Sequence, residues 1–452
     1  MISKAAIILW HRRLALVAGC AVILWGISGL LHPLMTWTNP RSASFIPPAA
    51  TDLSVPPDEN IGALLIRHNI NQVTGLRLIG SVLQITVADQ PERLYLDLKA
   101  DQLIDGADHE RAIMLARHYA GLPNEKIAGA VLITTFDSRY TYINRYLPVW
   151  RVDFEDRRHL HVYVDTGTDR LGTITDRRKI ILQTLFQIVH TGSWLDQWEG
   201  LRLTFTGVLV GTIILMTLAG LYMLVRLRGC RKGVRKFHRI LAYGALIPLM
   251  VFPVSGLFHL LVQSPLLYGD HSANVMPVGS AQLQNNPASK ADDIRLVSYE
   301  GQYWWRIRQG DETTYNPIKG KGAVLHGDEA FVSSLFPSAP LSISKVTGFS
   351  DEYGFAYKRL PVWRVDTGNE LVFVESLTGV ISARISPLNI AETWSFSRLH
   401  KWQSLDGIGE KIMGKGPYKN ALRDGLMVFF IMLALAATVM GLILRLKSTR
   451  KD

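Results

Sequence analysis

The chain reads as an α-helical membrane protein: four transmembrane helices laid out as two helix–domain–helix repeats, with two α+β domains carried outside the membrane. Three observations predict this. The 48% hydrophobic content concentrates in four blocks near residues 14–35, 203–225, 240–262 and 425–444. Histidine pairs 21 residues apart bracket the first and third blocks, His11 with His32 and His238 with His259, and the second pair lies 227 residues after the first. The heptapeptide Leu-Pro-Val-Trp-Arg-Val-Asp occurs at 147–153 and again at 360–366. Identity of that length establishes an internal duplication.

Each apolar block is about 20 residues long, enough to cross a ~30 Å hydrocarbon layer at 1.5 Å per residue. Backbone groups in lipid must be paired within their own segment, so the blocks are expected as helices. Their glycines, among them Gly207, Gly211, Gly220, Gly244, Gly256 and Gly441, suit close helix packing in a membrane. The net charge of +11 is placed for topology and not for nucleic acid. Lys4, Arg12 and Arg13 precede the first block, and seven cations from Arg226 to Arg239 fill the link between the second and third with no acidic residue. Arg445, Lys447, Arg450 and Lys451 close the chain. Short basic flanks mark the cytoplasmic side, so both termini and the 226–239 link are expected inside and both long connections outside. The first block reads as a retained anchor, since no small-residue cleavage site follows it. Cys20 and Cys230 lie in the first span and the link, where no disulfide between them is expected.

The expected organisation is residues 1–37 as cytoplasmic N-terminus and first span, 38–199 as the first external domain, 200–262 as the second and third spans, 263–421 as the second external domain, and 422–452 as the fourth span and tail. In the first domain the stretch 108–120 predicts an amphipathic helix, while Leu147–Asp153 and Leu160–Val164 alternate as strands. Asp165-Thr166-Gly167 predicts a turn; Leu371–Val374 and Leu377-Thr378-Gly379 are the matching strand and turn of the second copy. Proline-rich stretches at 40–57 and 253–288 predict connectors.

Six of the 13 histidines occupy equivalent places in the two halves. His11 and His238 open the first and third spans, His32 and His259 close them, and His190 and His400 precede the second and fourth. Bis-histidine ligation of haem iron needs two neutral imidazoles facing across a flat macrocycle in apolar surroundings. A pseudo-twofold duplication provides such pairs: His11 with His238 at the inner side, and His32 with His259 or His190 with His400 at the outer side. Two or three haem b groups are thus accommodated. Residues 21 apart fall within about 60° of one another around a helix but rise roughly 31 Å, a long gap for electron exchange, which Trp25 in the first span could help to bridge. A bare copper or zinc site is the weaker alternative, because no Cys or Met pattern and no close ligand spacing accompanies these histidines. Trp37, Tyr303, Trp304 and Trp305 are candidates for holding a flat ligand, with core packing as the plainer reading. Arg151 and Arg364 of the heptapeptide read as structural strand positions. No dinucleotide fingerprint after a strand, no phosphate loop and no His-Glu-x-x-His motif is present, so an electron donor must be a separate protein or quinol from the bilayer.

The Pro-x-Trp-x-Val-Asp stretch followed by a strand and a Thr-Gly turn resembles a PepSY domain. Two such domains interleaved with four spans resemble the PepSY-associated transmembrane family, which includes iron-regulated inner-membrane proteins and siderophore reductases. The resemblance covers nearly the whole chain. It implies a multi-pass protein of the bacterial inner membrane that passes electrons to a ferric siderophore or similar ferric chelate in the periplasm. The residues alone argue only for transmembrane redox or metal handling. A membrane-anchored PepSY module that binds or inhibits a partner without redox chemistry, and a metal or chelate transporter, are the alternatives.

Overall fold

The computed structural model describes residues 3–49, 52–144, 146–227, 233–263, 276–287, 289–319, 322–336, 338, 340–350, 352–354, 357–414 and 420–449. Cys230, three of the seven link cations (Arg228, Arg231 and Lys232), Arg450 and Lys451 lie outside them.

Two compact units emerge, each assembled from both halves of the chain. The helical unit comprises Met1–Asn39, Lys179–Asp270 and Leu388–Asp452, and the sheet unit Pro40–Arg178 with His271–Pro387. The helical unit is built on α1 (Lys4–Thr38), α2 (Glu199–Arg226), α3 (Val234–Val262) and α4 (Ala421–Thr449). All four are long and apolar enough to cross a membrane, and only 22–28% of each helix's most apolar window is buried. The outward faces therefore stay apolar, with Leu24, Val208, Leu215 and Ile247 each more than half exposed. A water-soluble bundle would turn polar residues outward there. Helix α1 packs on α2 and α4, and α3 packs on the same two, so the four form a ring. Small residues line the seams: a β-carbon at Gly26 would come within 2.8 Å of Leu435, and one at Gly244 within 2.9 Å of Leu433. Close approach of this kind is how helices gain contact where lipid offers no hydrophobic drive.

In the sheet unit the duplication is written into the backbone. One antiparallel sheet runs Ile127–Ile133, Val149–Phe154, His161–Asp165, Arg170–Thr175, and a second runs Ser342–Val346, Val362–Asp366, Leu371–Glu375, Val380–Ile385. The heptapeptide supplies the second strand of each. Both sheets carry a register shift at the equivalent place, Tyr163/Val164 and Phe373/Val374. The Tyr140 hydroxyl donates to the Tyr146 carbonyl at 3.0 Å, and Tyr353 repeats this on Arg359 at 2.8 Å. Helix Ala107–Ala120, expected over 108–120, buries Ala112, Leu115, Ala116 and Tyr119 against the first sheet. The shorter helix Asp328–Ser334 buries Phe331 and Val332 against the second. Arg151 and Arg364 ion-pair along or beside their strands, with Asp153 at 3.0 Å and Glu352 at 2.9 Å, as structural positions do.

One expectation is corrected. Residues 38–199 and 263–421 do not form two separate domains. Gly75–Ile79 pairs with Asp293–Tyr299 in a single eight-stranded antiparallel sheet, so strands of both halves share one core. Sequence periodicity shows that a strand is half-buried but not which half of a duplicated chain covers it. Of the two readings of Trp304 and Trp305, the plainer one holds: they are core residues, 8% and 0% exposed. Tyr303 packs beside them and donates to the Pro277 carbonyl.

Buried charge ties the unit together. Glu375, fully buried, accepts from Arg170, from Arg359 at 2.7 Å and from Thr378 at 2.5 Å. Burial pushes this carboxyl up, yet Arg170 and Arg359 outweigh it and hold it at about 2. Because that lies below the ordinary value of 4.5, its contribution is present above pH 4.5 and lost as pH falls toward 2. Glu375→Ala would strand two buried guanidinium groups, and a loss of about 3–5 kcal/mol is expected. Denaturant unfolding followed by tryptophan fluorescence measures it, and a loss below about 1 kcal/mol would show the cluster to be solvent-screened.

Candidate haem-ligand histidines

At the end of the bundle that carries the 226–239 link, His11 of α1 and His238 of α3 line one cavity of about 460 Å³. Clefts for cofactors run roughly 300–1,000 Å³. Its walls are mostly apolar, including Ala15, Leu221, Leu246 and Leu249, and repeat-equivalent Met216/Ala437 and Thr217/Thr438 from α2 and α4. The Nδ1 of His11 bonds the Met216 carbonyl at 3.0 Å, and that of His238 the Ala437 carbonyl at 2.9 Å. A carbonyl only accepts, so each Nδ1 carries a hydrogen, and in the neutral ring each Nε2 then keeps its lone pair. Such anchoring is the arrangement that metal-ligating imidazoles use. One turn further along α2 and α4 stand Gly220 and Gly441, where a β-carbon would lie 3.3 and 3.1 Å from the Cε1 of His11 and His238. Glycine makes the seat in which each ring lies.

The opposite end repeats the device with different parts. His190 and His400 sit on equivalent π-helical turns, Gln187–Thr191 and Phe396–His400, a backbone form frequent at functional sites. His190 Nδ1 meets the Ser28 hydroxyl at 3.0 Å, and the Trp25 indole donates to the His190 carbonyl at 3.1 Å. His400 Nδ1 meets Ser255 at 3.2 Å and the Phe252 carbonyl at 3.2 Å. Gly29 and Gly256 again face the Cε1 atoms, at 3.8 and 3.3 Å from a notional β-carbon. Burial, then the imidazole of His32, pushes His190 down to about 4. Burial, then His190 and His259, pushes His400 to about 3. Both rings therefore stay neutral, the form that binds metal.

His32 and His259 are placed less alike. The His259 ring stacks on Phe396 at 3.8 Å, and Phe396 stacks in turn on His400 at 4.7 Å. His259 Nδ1 bonds the buried Glu392 carboxylate at 2.5 Å, whose other oxygen accepts from Gln263 at 2.9 Å. In the first half Phe186 stacks on His190 at 4.5 Å, but His32 lies 6.3 Å from Phe186 and tilted by 58°. The counterpart of Glu392 there is Leu182. Of the two outer pairings left open by sequence, His190 with His400 has the symmetric, anchored geometry. Among the described residues no group of three or more His, Cys, Asp or Glu is placed to hold a metal ion.

The anchors were not singled out from sequence. Ser28 and Ser255 stand in a repeated Ser-Gly-x-x-His stretch, at 28–32 and 255–259, whose serines carry no mark of their role, and Gly220 and Gly441 read only as packing glycines. Glu392 carries no repeat signal, since it exists in one half alone. No family model, curated protein or solved structure matches the chain.

Glycines that seat a ring should differ from glycines that do not. Gly207→Ala, with nothing within 4 Å of the new methyl, is expected to be neutral or stabilising by up to about 1 kcal/mol. Gly441→Ala must move the His238 ring and is expected to lower the thermal midpoint in detergent. Equal midpoints for the two variants would contradict the seat.

Proposed function

We propose that the protein is a haem b-carrying reductase of the PepSY-associated transmembrane type, seated in a bacterial inner membrane and passing electrons outward to a ferric siderophore or similar ferric chelate. The observation that supports it most is one cavity lined by two imidazoles, each pinned through Nδ1 to a backbone carbonyl of a neighbouring helix. Two imidazoles are too few for zinc, which takes three or four protein ligands, but suffice where a macrocycle supplies the remaining four.

His11 and His238 would hold one haem, and His190 and His400 a second, with His32 and His259 flanking it across Phe186 and Phe396. When bound, the group supplies an iron that cycles between ferric and ferrous states. The chain contributes neutral ligands, apolar walls that exclude water, and fixed ring positions. Because His190 rests on Ser28 and not at the level of His32, the outer site lies four residues, about 6 Å, closer to the inner one. Trp25 bonds the His190 backbone and packs in the cluster that contains Met216, whose carbonyl holds His11. The reaction at the acceptor is one-electron reduction of chelated ferric iron to ferrous iron, which oxygen-rich chelators hold less tightly. Electrons come from a protein donor or from quinol in the bilayer.

Orientation follows from charge. Arg12, Arg235, Arg239 and Arg445 all stand around the His11/His238 cavity, at one end of the bundle. Basic flanks of short loops stay cytoplasmic, which puts both termini and the link inside and the sheet unit in the periplasm.

An absorption spectrum of the detergent-purified protein tests the reading. Reduction should sharpen the Soret and α-bands in the manner of low-spin b-type haem, and His11→Ala or His238→Ala should each remove about one equivalent. Colourless protein from haem-replete cells would leave a non-redox PepSY module or a chelate transporter in its place.

A further inference from the structure

The mouth of the His11/His238 cavity is not symmetric, although the chain that builds it is duplicated. Arg12 and Arg239 are repeat-equivalent and both line it. Two other lining arginines have no basic counterpart. Arg235 corresponds to Ile8, and Arg445 to Leu224, and both of those apolar residues also line the cavity. The cavity therefore takes three arginines from α3 and α4 (Arg235, Arg239 and Arg445) and one from α1 and α2 (Arg12), where Ile8 and Leu224 stand in the other two places. No Asp or Glu is among the lining residues.

Topology alone does not require this. Basic residues at a cytoplasmic end serve orientation wherever they stand in the flank, and Arg12 and Arg239 already provide them in each half. Arg239 is committed to the backbone, donating to the Leu227 and Leu224 carbonyls. Arg445 is steered across the α1–α4 seam, its Nη1 donating to the Arg12 carbonyl at 2.8 Å and the Arg13 carbonyl at 3.2 Å. That contact fixes where a planar, five-donor fork sits. An apolar cleft whose lining carries these guanidinium groups at the end of the 226–239 link, and no carboxylate, complements a flat apolar ligand that carries carboxylates along one edge.

We propose that Arg235 and Arg445 recognise the paired carboxylates of the macrocycle bound in this cavity, and so decide which edge faces the cytoplasmic end. The proposal rests on the haem reading above and deepens it. The opposite, hydrocarbon edge then lies further along the helices, among Ala15, Leu246 and Leu249. The recognition is by charge-assisted, fork-shaped hydrogen bonds, which lysine reproduces only in part.

The test uses full-length protein made in haem-deficient cells, titrated in detergent with haem b and separately with its dimethyl ester, and followed at the Soret band. One bound equivalent, the one lost in His238→Ala, is expected to take haem b about tenfold or more tightly than the ester. Arg235→Gln with Arg445→Gln should reduce that preference to under about threefold while leaving ester affinity unchanged, and the double lysine variant should restore part of it. Equal affinity of the wild type for both pigments at this equivalent overturns the proposal and leaves the haem site standing. A double glutamine variant that loses ester and acid alike also overturns it. Uptake of neither pigment by the wild type overturns the haem reading, and this proposal with it.

Discussion

An imidazole N–H surrounded by apolar side chains must find an acceptor, and in this bundle it finds one on the next helix. His11 and His238 take main-chain carbonyls of α2 and α4, and His190 and His400 take the serines of α1 and α3. Every such bond crosses a helix–helix seam. The hydrogen bond aims the opposite nitrogen and fixes the neighbour at once, and at His11, His238 and His400 a carbonyl partner also chooses the tautomer. Lost in a low-dielectric site, it would leave a buried donor unpaired at a cost of about 1–3 kcal/mol, which no lipid-facing contact repays.

Duplication makes the arrangement affordable, and departures from it show where the halves have parted. The carbonyl, glycine and histidine of the inner site match one for one across the two repeats, as do the serine, glycine and histidine of the outer site. Glu392, Arg235, Arg445 and Trp25 do not; their counterparts are Leu182, Ile8, Leu224 and Phe252. Each unmatched residue is polar where its partner is apolar, or donates where its partner cannot. The symmetric set builds the frame, and the asymmetric set gives it a direction.

Much of this was legible before the structure. Four apolar blocks of spanning length and the heptapeptide repeat announced the helices and the duplicated strands, because burial periodicity and identity are local properties. The six histidines could be named, since their spacing repeats. Their anchors could not, because a backbone carbonyl leaves no mark on a sequence and Met216 and Ala437 share no side-chain chemistry. Likewise the eight-stranded sheet depends on Gly75–Ile79 meeting Asp293–Tyr299, a pairing across more than 200 residues for which neither strand carries a local signal. Trp304 and Trp305 were open to a ligand-binding reading for the same reason: an aromatic pair looks alike whether it faces a core or a guest.

The glycine seats at 29, 220, 256 and 441 carry one consequence further. A ring that lies directly on a neighbouring backbone has no rotamer of its own to spend. Its position is then set by the spacing of two rods, not by the flexing of a side chain. Any widening of a seam, through lipid thickness, temperature or a distant substitution, would move the nitrogen by a comparable amount. The placement of these ring nitrogens inherits the stiffness of the bundle, so the bundle itself is the tuning element.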